Sequence, residues 1–229
     1  MAKVLIICAQ RYNGHELWTL LGKLQQRGHQ FEVVSQDLLI KDELTLRPNT
    51  IKRLVWDVDP KIAVQEFDGV CVVSGNMADT EKYWTDNHVI DILKTFRAED
   101  KVCAAICCSV PTLAPIVEGV KVSFFPLMRS RNRLRDHGAI LQTTSLTVDK
   151  RTITAENQMI THMWGDEICN MLEGKPQQHH FTDSGFVPKG SERRMPPEVR
   201  KAIDEARGYE MVIKKDKITG KPINKGSIS

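Results

Sequence analysis

The side chains best suited to chemistry sit in one short stretch, Ala104-Ala105-Ile106-Cys107-Cys108-Ser109-Val110-Pro111. Residues Val102–Ile106 are apolar and read as a strand, and Cys108–Val117 reads as a helix that Gly119 closes. No loop separates the two. A residue at such a junction is held on a sharp turn. Its side chain is raised above the sheet, and the following helix aims its first N–H groups at it. A thiol placed there loses its proton more easily, and the thiolate is the reactive form. Cys107 is therefore the candidate nucleophile, beyond the carboxyl ends of the strands, where open α/β sheets place their ligands. Spacing alone also allows a plainer reading, in which Cys107 and Cys108 are two small apolar residues closing a strand.

The elements that must position this corner follow from periodicity. Lys3–Cys8 (KVLIIC) is a continuous apolar run, as in a strand covered on both faces. His15–Arg27 has helical spacing through Leu17, Leu20, Leu21 and Leu24, and Gly28 stops it. Gln30–Ser35 is the next strand, so the chain opens as β-α-β with parallel strands. Residues 36–67 are less periodic, broken by Pro48 and Pro60, with room for a strand or short helices. Phe67–Ser74 reads as a buried strand, Asn87–Arg97 as a helix, and Lys121–Phe125 and residues 139–154 as further strands. Gln158–Leu172 reads as a last helix, capped by Gly174. The expected fold is α/β, an open, mostly parallel sheet with helices on both faces.

Composition bounds the rest. The 229 residues are 41% hydrophobic and 27% charged, the balance of a globular chain. No apolar run is long enough to span a membrane, and the N-terminus lacks the cleavage site of a signal peptide. Four of the six cysteines lie in or beside apolar runs, which suggests buried thiols in a reducing, cytoplasmic compartment. Cys103 and Cys107 are spaced CxxxC without a second pair, so neither a structural zinc site nor any other metal is expected. Phosphate-loop, dinucleotide and nucleic-acid-binding signatures are absent, and no organic cofactor is expected. The net charge of +3 is uneven: residues 175–229 hold 12 Lys/Arg against 7 Asp/Glu. They also hold five of the ten prolines. The expected organisation is therefore an α/β domain over 1–174 and a basic C-terminal extension over 175–229. That extension is either a solvated arm or a contact for an acidic partner.

Four blocks, in order, resemble the ThiJ/PfpI family. Ala104–Pro111 (AAICCSVP) is similar to that family's AAICHGP elbow, and Phe67–Gly75 (FDGVCVVSG) to its YDALVLPGG strand. Val4–Ile7 followed by Gly14-His15-Glu16-Leu17 resembles its first strand and carboxylate-bearing turn, and Lys121–Leu127 (KVSFFPL) the strand after the elbow helix. The likeness covers roughly residues 3–174 and implies a flavodoxin-like, class I glutamine amidotransferase-like fold, commonly dimeric. It implies that Glu16 stands beside Cys107. By its position alone, Glu16 is a helix N-terminal carboxylate facing the dipole. Beside a thiol, it would need a raised pKa, so that a protonated carboxyl could donate to a thiolate or a sulfinate. The resemblance also implies that the N–H groups of Gly75 and Cys108 form an oxyanion hole.

The sequence departs from the family at informative places. Cys108 stands where the peptidase branch has a histidine, and Phe125 where the deglycase-like branch often has another. Ser74 and Asn76 flank Gly75 in place of proline and a second glycine, and Asn76 could add an amide donor. His15 is the histidine best placed to substitute as a base. The resemblance implies a hydrolase or lyase, glyoxalase- or deglycase-like, acting on a small carbonyl or amide substrate through Cys107 and Glu16. Two other readings stay open. One is an oxidative-stress sensor or chaperone in which Cys107 oxidises without turnover. The other is a binding protein that uses the basic arm.

Overall fold

The computed structural model describes residues 1–178. These belong to one compact unit. The expected extension lies almost wholly outside the described residues, and with it the reading of a basic arm. Seven strands form the main sheet: β1 (Lys3–Cys8), β2 (Gln30–Ser35), β3 (Arg53–Leu54), β4 (Gly69–Val73), β5 (Val102–Ile106), β6 (Leu146–Asp149) and β7 (Thr152–Ala155). Their order is β6-β7-β5-β4-β1-β2-β3. Every neighbouring pair is parallel except β6 and β7. The expected open, mostly parallel sheet is thus present.

Period-two alternation explains how the sheet is covered on both faces. In β1, Leu5 and Ile7 join one apolar cluster, whereas Val4, Ile6 and Cys8 join the other. The second face is covered by α1 (Gly14–Gln26) and α6 (Thr161–Leu172), through Leu17, Leu20, Leu24, Trp164 and Ile168. The first face is covered by α2 (Pro60–Glu66) and by α4 (Asn87–Ala98), which presents Val89, Ile92, Leu93 and Phe96. Caps set the helix starts. Asp59 accepts from Lys61 N and Ile62 N with Pro60 at the first helical position, and Asp86 accepts from Val89 N.

Several expectations are corrected. The expected strand over Lys121–Phe125 narrows to Lys121–Val122, which pairs with Ile140–Leu141 outside the main sheet. The segment after β5 is a helix, as expected, but a 3-10 helix over Cys107–Ile116. Pro111 and Pro115 lie inside it, and neither has an N–H to donate to an α-helical ladder. The last expected helix begins as a 3-10 turn, Gln158–Ile160, before α6. Two helices were not anticipated, α3 (Met77–Thr85) and α5 (Met128–Asp136). In α5 (MRSRNRLRD) the buried positions are only Ser130 and Leu134, so no apolar stripe marks it in the sequence. The uncertain stretch after β2 supplies two short strands, Leu39–Asp42 and Pro48–Thr50, of a small second sheet that Arg11–Tyr12 completes.

The parallel register brings the strand ends to one level. Cys8 pairs with Val73, Val72 with Ala105, and Ala155 with Ile106. The loops that leave β1, β4 and β5 therefore meet above the middle of the sheet. Arg11–Tyr12 crosses the exit of β4, with Asn13 N donating to Ser74 O at 2.8 Å and Asn76 N to Arg11 O at 2.7 Å. Between these two bonds Tyr12 faces Gly75. A Cβ at Gly75 would overlap the Arg11 carbonyl oxygen and lie 2.6 Å from Tyr12 Cα. Gly75→Ala is expected to force these backbones apart and to cost about 1–3 kcal/mol. Urea unfolding of the variant against the parent protein checks this.

Candidate active site

Cys107 is the corner residue itself, with φ +58°. Left-handed backbone costs a side-chain-bearing residue roughly 1–2 kcal/mol, so something must hold it. Ser109 does so. Its buried hydroxyl accepts from Ile106 N at 3.1 Å and reaches the carbonyls of Ile106 at 2.6 Å and Val72 at 2.7 Å. One side chain thereby ties the turn to both β5 and β4. Cys107 is half-buried, whereas Cys108 is buried at 4% exposure.

Glu16 is fully buried in the first turn of α1. Asn13 caps this helix, accepting from Glu16 N at 3.1 Å. The spacing Asn13-x-x-Glu16 has the form of a capping box, in which the glutamate would fold back to the cap. Here the carboxyl turns inward instead. Oε2 accepts from Ser74 N at 2.9 Å and from Ser74 Oγ at 2.6 Å. Oε1 is buried and has no hydrogen-bond partner among the described residues. Burial pushes the Glu16 pKa well up, against the opposing effect of Ser74, and the neighbouring Cys108 adds to the rise. A carboxylic acid with Oε2 accepting twice carries its proton on Oε1, where it is an O–H donor.

The two adjacent thiols act on one another, so the pair titrates as a unit. The neighbouring Cys107 is the main influence that brings Cys108 down to about 7. Burial opposes it, and Thr80, the Gly75 backbone and Ser74 assist. Cys108 in turn, with burial and the nearby Glu16, pushes Cys107 up. The other buried thiols are held in the neutral form, Cys8 and Cys103 at about 12 and Cys169 at about 11, chiefly by desolvation.

The structure brings together Cys107, Glu16, Gly75 and Cys108. The Cys108 sulfur lies 3.6 Å from the Gly75 carbonyl oxygen. Asn76 instead serves α3: its side chain accepts from Ala78 N at 3.2 Å, and its N–H is taken by Arg11 O. His15 is exposed, its ring 6.1 Å from that of His162. Desolvation and His162 lower its pKa. Sequence reasoning missed Asn13, Ser74 as a donor, Thr80 and Ser109. Asn13 also donates to Glu43 at 3.1 Å and to Gln158 at 2.7 Å, which joins three loops above the sheet. The Asn-x-x-Glu pattern was a legible signal for Asn13; Ser109 had none. No group of three or more His, Cys, Asp or Glu among the described residues could hold a metal. A 380 Å³ cavity lined by Met1, His29, Asp68, Lys101, Arg151 and Glu173, among others, opens at the opposite, amino ends of the strands.

A family model described as the DJ-1/PfpI family matches residues 2–171. The chain belongs to this family. It is 27% identical over 175 residues to the uncharacterized protein MJ0967 of Methanocaldococcus jannaschii, covering 75% of this chain and 83% of that one. Among solved structures it resembles a ThiJ/PfpI domain protein from Brachyspira murdochii, with TM-score 0.68 and 19% identity over 76% of this chain and 98% of that one. It also resembles Drosophila melanogaster DJ-1beta, with TM-score 0.62 and 18% identity over 76% and 92% of the two chains. At these identities the structural likeness speaks for the fold. No helix among the described residues is long and apolar enough to cross a membrane.

Two outcomes follow for the titrating groups of this DJ-1/PfpI family member. Glu16 is neutral when folded and ionised when unfolded at neutral pH, so the unfolded chain binds fewer protons. Its contribution to stability is present below the ordinary glutamate range and falls as pH rises, by at most about 1.4 kcal/mol per pH unit. Glu16→Gln should flatten that slope, so that the variant gains on the parent between pH 5 and pH 8. Unfolding midpoints in urea at several pH values measure it. Iodoacetamide labelling of the cysteine pair should rise through one apparent pKa of about 7, a property of the pair. Labelling rates followed by peptide mass mapping check this.

Proposed function

We propose that this protein is a cysteine-dependent enzyme, a hydrolase or lyase of the glyoxalase or deglycase kind, acting on a small carbonyl or amide substrate. The observation that carries the reading is the buried Glu16 carboxyl in the first turn of α1, with Oε1 unpartnered among the described residues. A buried carboxyl is costly to keep unless its proton or its charge is used.

In this mechanism, the Cys107 sulfur attacks the carbonyl carbon and passes its proton to the Cys108 thiolate. The C=O π pair moves to oxygen, where the N–H groups of Gly75 and Cys108 meet the developing charge. Glu16 then delivers its proton to that oxygen, leaving a neutral thiohemiacetal and a carboxylate. Cys108 so takes the part that a histidine plays in the peptidase branch, since a thiol held near 7 is a competent base at neutral pH.

The test is turnover of glyoxal-type and small amide substrates by the full chain. Cys107→Ser should abolish it, and Glu16→Gln should lower kcat by about 10²–10⁴-fold, the usual contribution of a positioned acid. Turnover that survives Cys107→Ser would overturn the reading.

A further inference from the structure

The vicinal pair offers something that a single reactive cysteine does not. We propose that Cys108 is the resolving thiol of Cys107. A hydroperoxide would oxidise Cys107 to a sulfenic acid, and Cys108 would condense with it to a disulfide between adjacent residues. This inference rests on Cys107 being a reactive thiol, but not on any turnover.

Three features support it. Accessibility is divided: Cys107 is half-buried and can meet a small oxidant, whereas Cys108 is shielded at 4% exposure. The two cysteines are adjacent in the chain, at the corner where Cys107 holds φ +58°. The Cys108 sulfur is held in place by the Gly75 carbonyl oxygen at 3.6 Å. No other cysteine is so placed. All six lie within the described residues, and Cys8, Cys71, Cys103 and Cys169 are buried in β1, β4, β5 and α6.

The chemistry balances. Cys107 gives its proton to Cys108 and attacks one peroxide oxygen. An S–O bond forms, the O–O bond breaks, and the leaving oxygen takes the proton from Cys108, which becomes a thiolate, while that oxygen leaves as water or an alcohol. The sulfur loses two electrons and the peroxide gains them. Cys108, as thiolate, then attacks the Cys107 sulfur. An S–S bond forms, the S–O bond breaks, and hydroxide leaves as water. Two thiols and one hydroperoxide thus yield one disulfide and two hydroxylic products.

Such a disulfide would be easily reversed. Adjacent Cα atoms are about 3.8 Å apart, below the roughly 4.4–6.8 Å that disulfides normally span, and the resulting strain makes the bond more reducible. A small thiol would return the pair to its reduced form. The expected consequence is that Cys107 stops at a reversible stage and does not proceed to sulfinate, from which thiols cannot recover it.

The experiment uses the reduced full chain, limited hydrogen peroxide, quenching with iodoacetamide, and peptide mass mapping with fragmentation across Val102–Lys121. The parent protein should lose two hydrogen atoms at Cys107–Cys108, and glutathione should restore them. Cys108→Ser and, as a second variant in case serine disturbs folding, Cys108→Ala should instead gain two oxygen atoms at Cys107. Their ratio of sulfinate to reversible product should rise on the order of ten-fold or more. That ratio is read rather than the rate, because removing Cys108 also alters the acidity of Cys107. Equal sulfinate fractions in parent and variants would overturn the inference while leaving a reactive Cys107. Loss of two hydrogens that persists in both variants would overturn it by assigning the bond to Cys103. Peroxide and iodoacetamide both failing to modify Cys107 would overturn the inference together with the reactive-thiol reading.

Discussion

The level register of β1, β4 and β5 is the constraint from which the site follows. Five parallel pairings carry every strand of the sheet except β6 in one direction, so the carboxyl ends of neighbours finish together. Three exits then compete for the same space above the sheet. Their polar groups satisfy one another: Asn13 and Asn76 bond the crossing backbones, Ser74 bonds Glu16, and Ser109 bonds the corner to two strands. A slip of one residue in β4 would turn its side chains to the opposite faces and carry Ser74 away from Glu16.

Much of this architecture is legible in the chain. The runs KVLIIC and VCAAI, the leucine spacing of α1 and the β-α-β opening determine a parallel sheet with little ambiguity, because continuous apolar strands require cover on both sides. The corner at Cys107 is legible too, since an apolar strand abuts a helix without a linker. What remains hidden depends on tertiary contact. Nothing local to Ser109 says that its hydroxyl will bridge two strands. The helix α5 is hidden because Ser130 and Leu134 alone face inward, and alternating arginines mask the period. The 3-10 form of Cys107–Ile116 could have been read from Pro111 and Pro115, four residues apart, each removing an α-helical donor.

The site itself is legible in identity and less so in electrostatics. The sequence points to Cys107 and, through family likeness, to Glu16. It does not reveal that Glu16 forgoes the capping-box geometry its spacing suggests. That depends on Ser74, which reaches the carboxyl from the β4 exit. Ser74, through its N–H and its hydroxyl, is what draws the Glu16 carboxyl inward.

The sheet's two borders have a consequence of a different kind. One ends in β3, only two residues long and carrying Arg53. The other ends in antiparallel β6, which the Lys121–Val122 segment overlies, Lys121 N donating to Asp149 at 2.7 Å. Short, charged or covered borders leave few unpaired backbone groups for a neighbouring chain to extend. A sheet this rich in valine and isoleucine would otherwise invite strand-by-strand polymerisation. These two modest margins guard the chain against it.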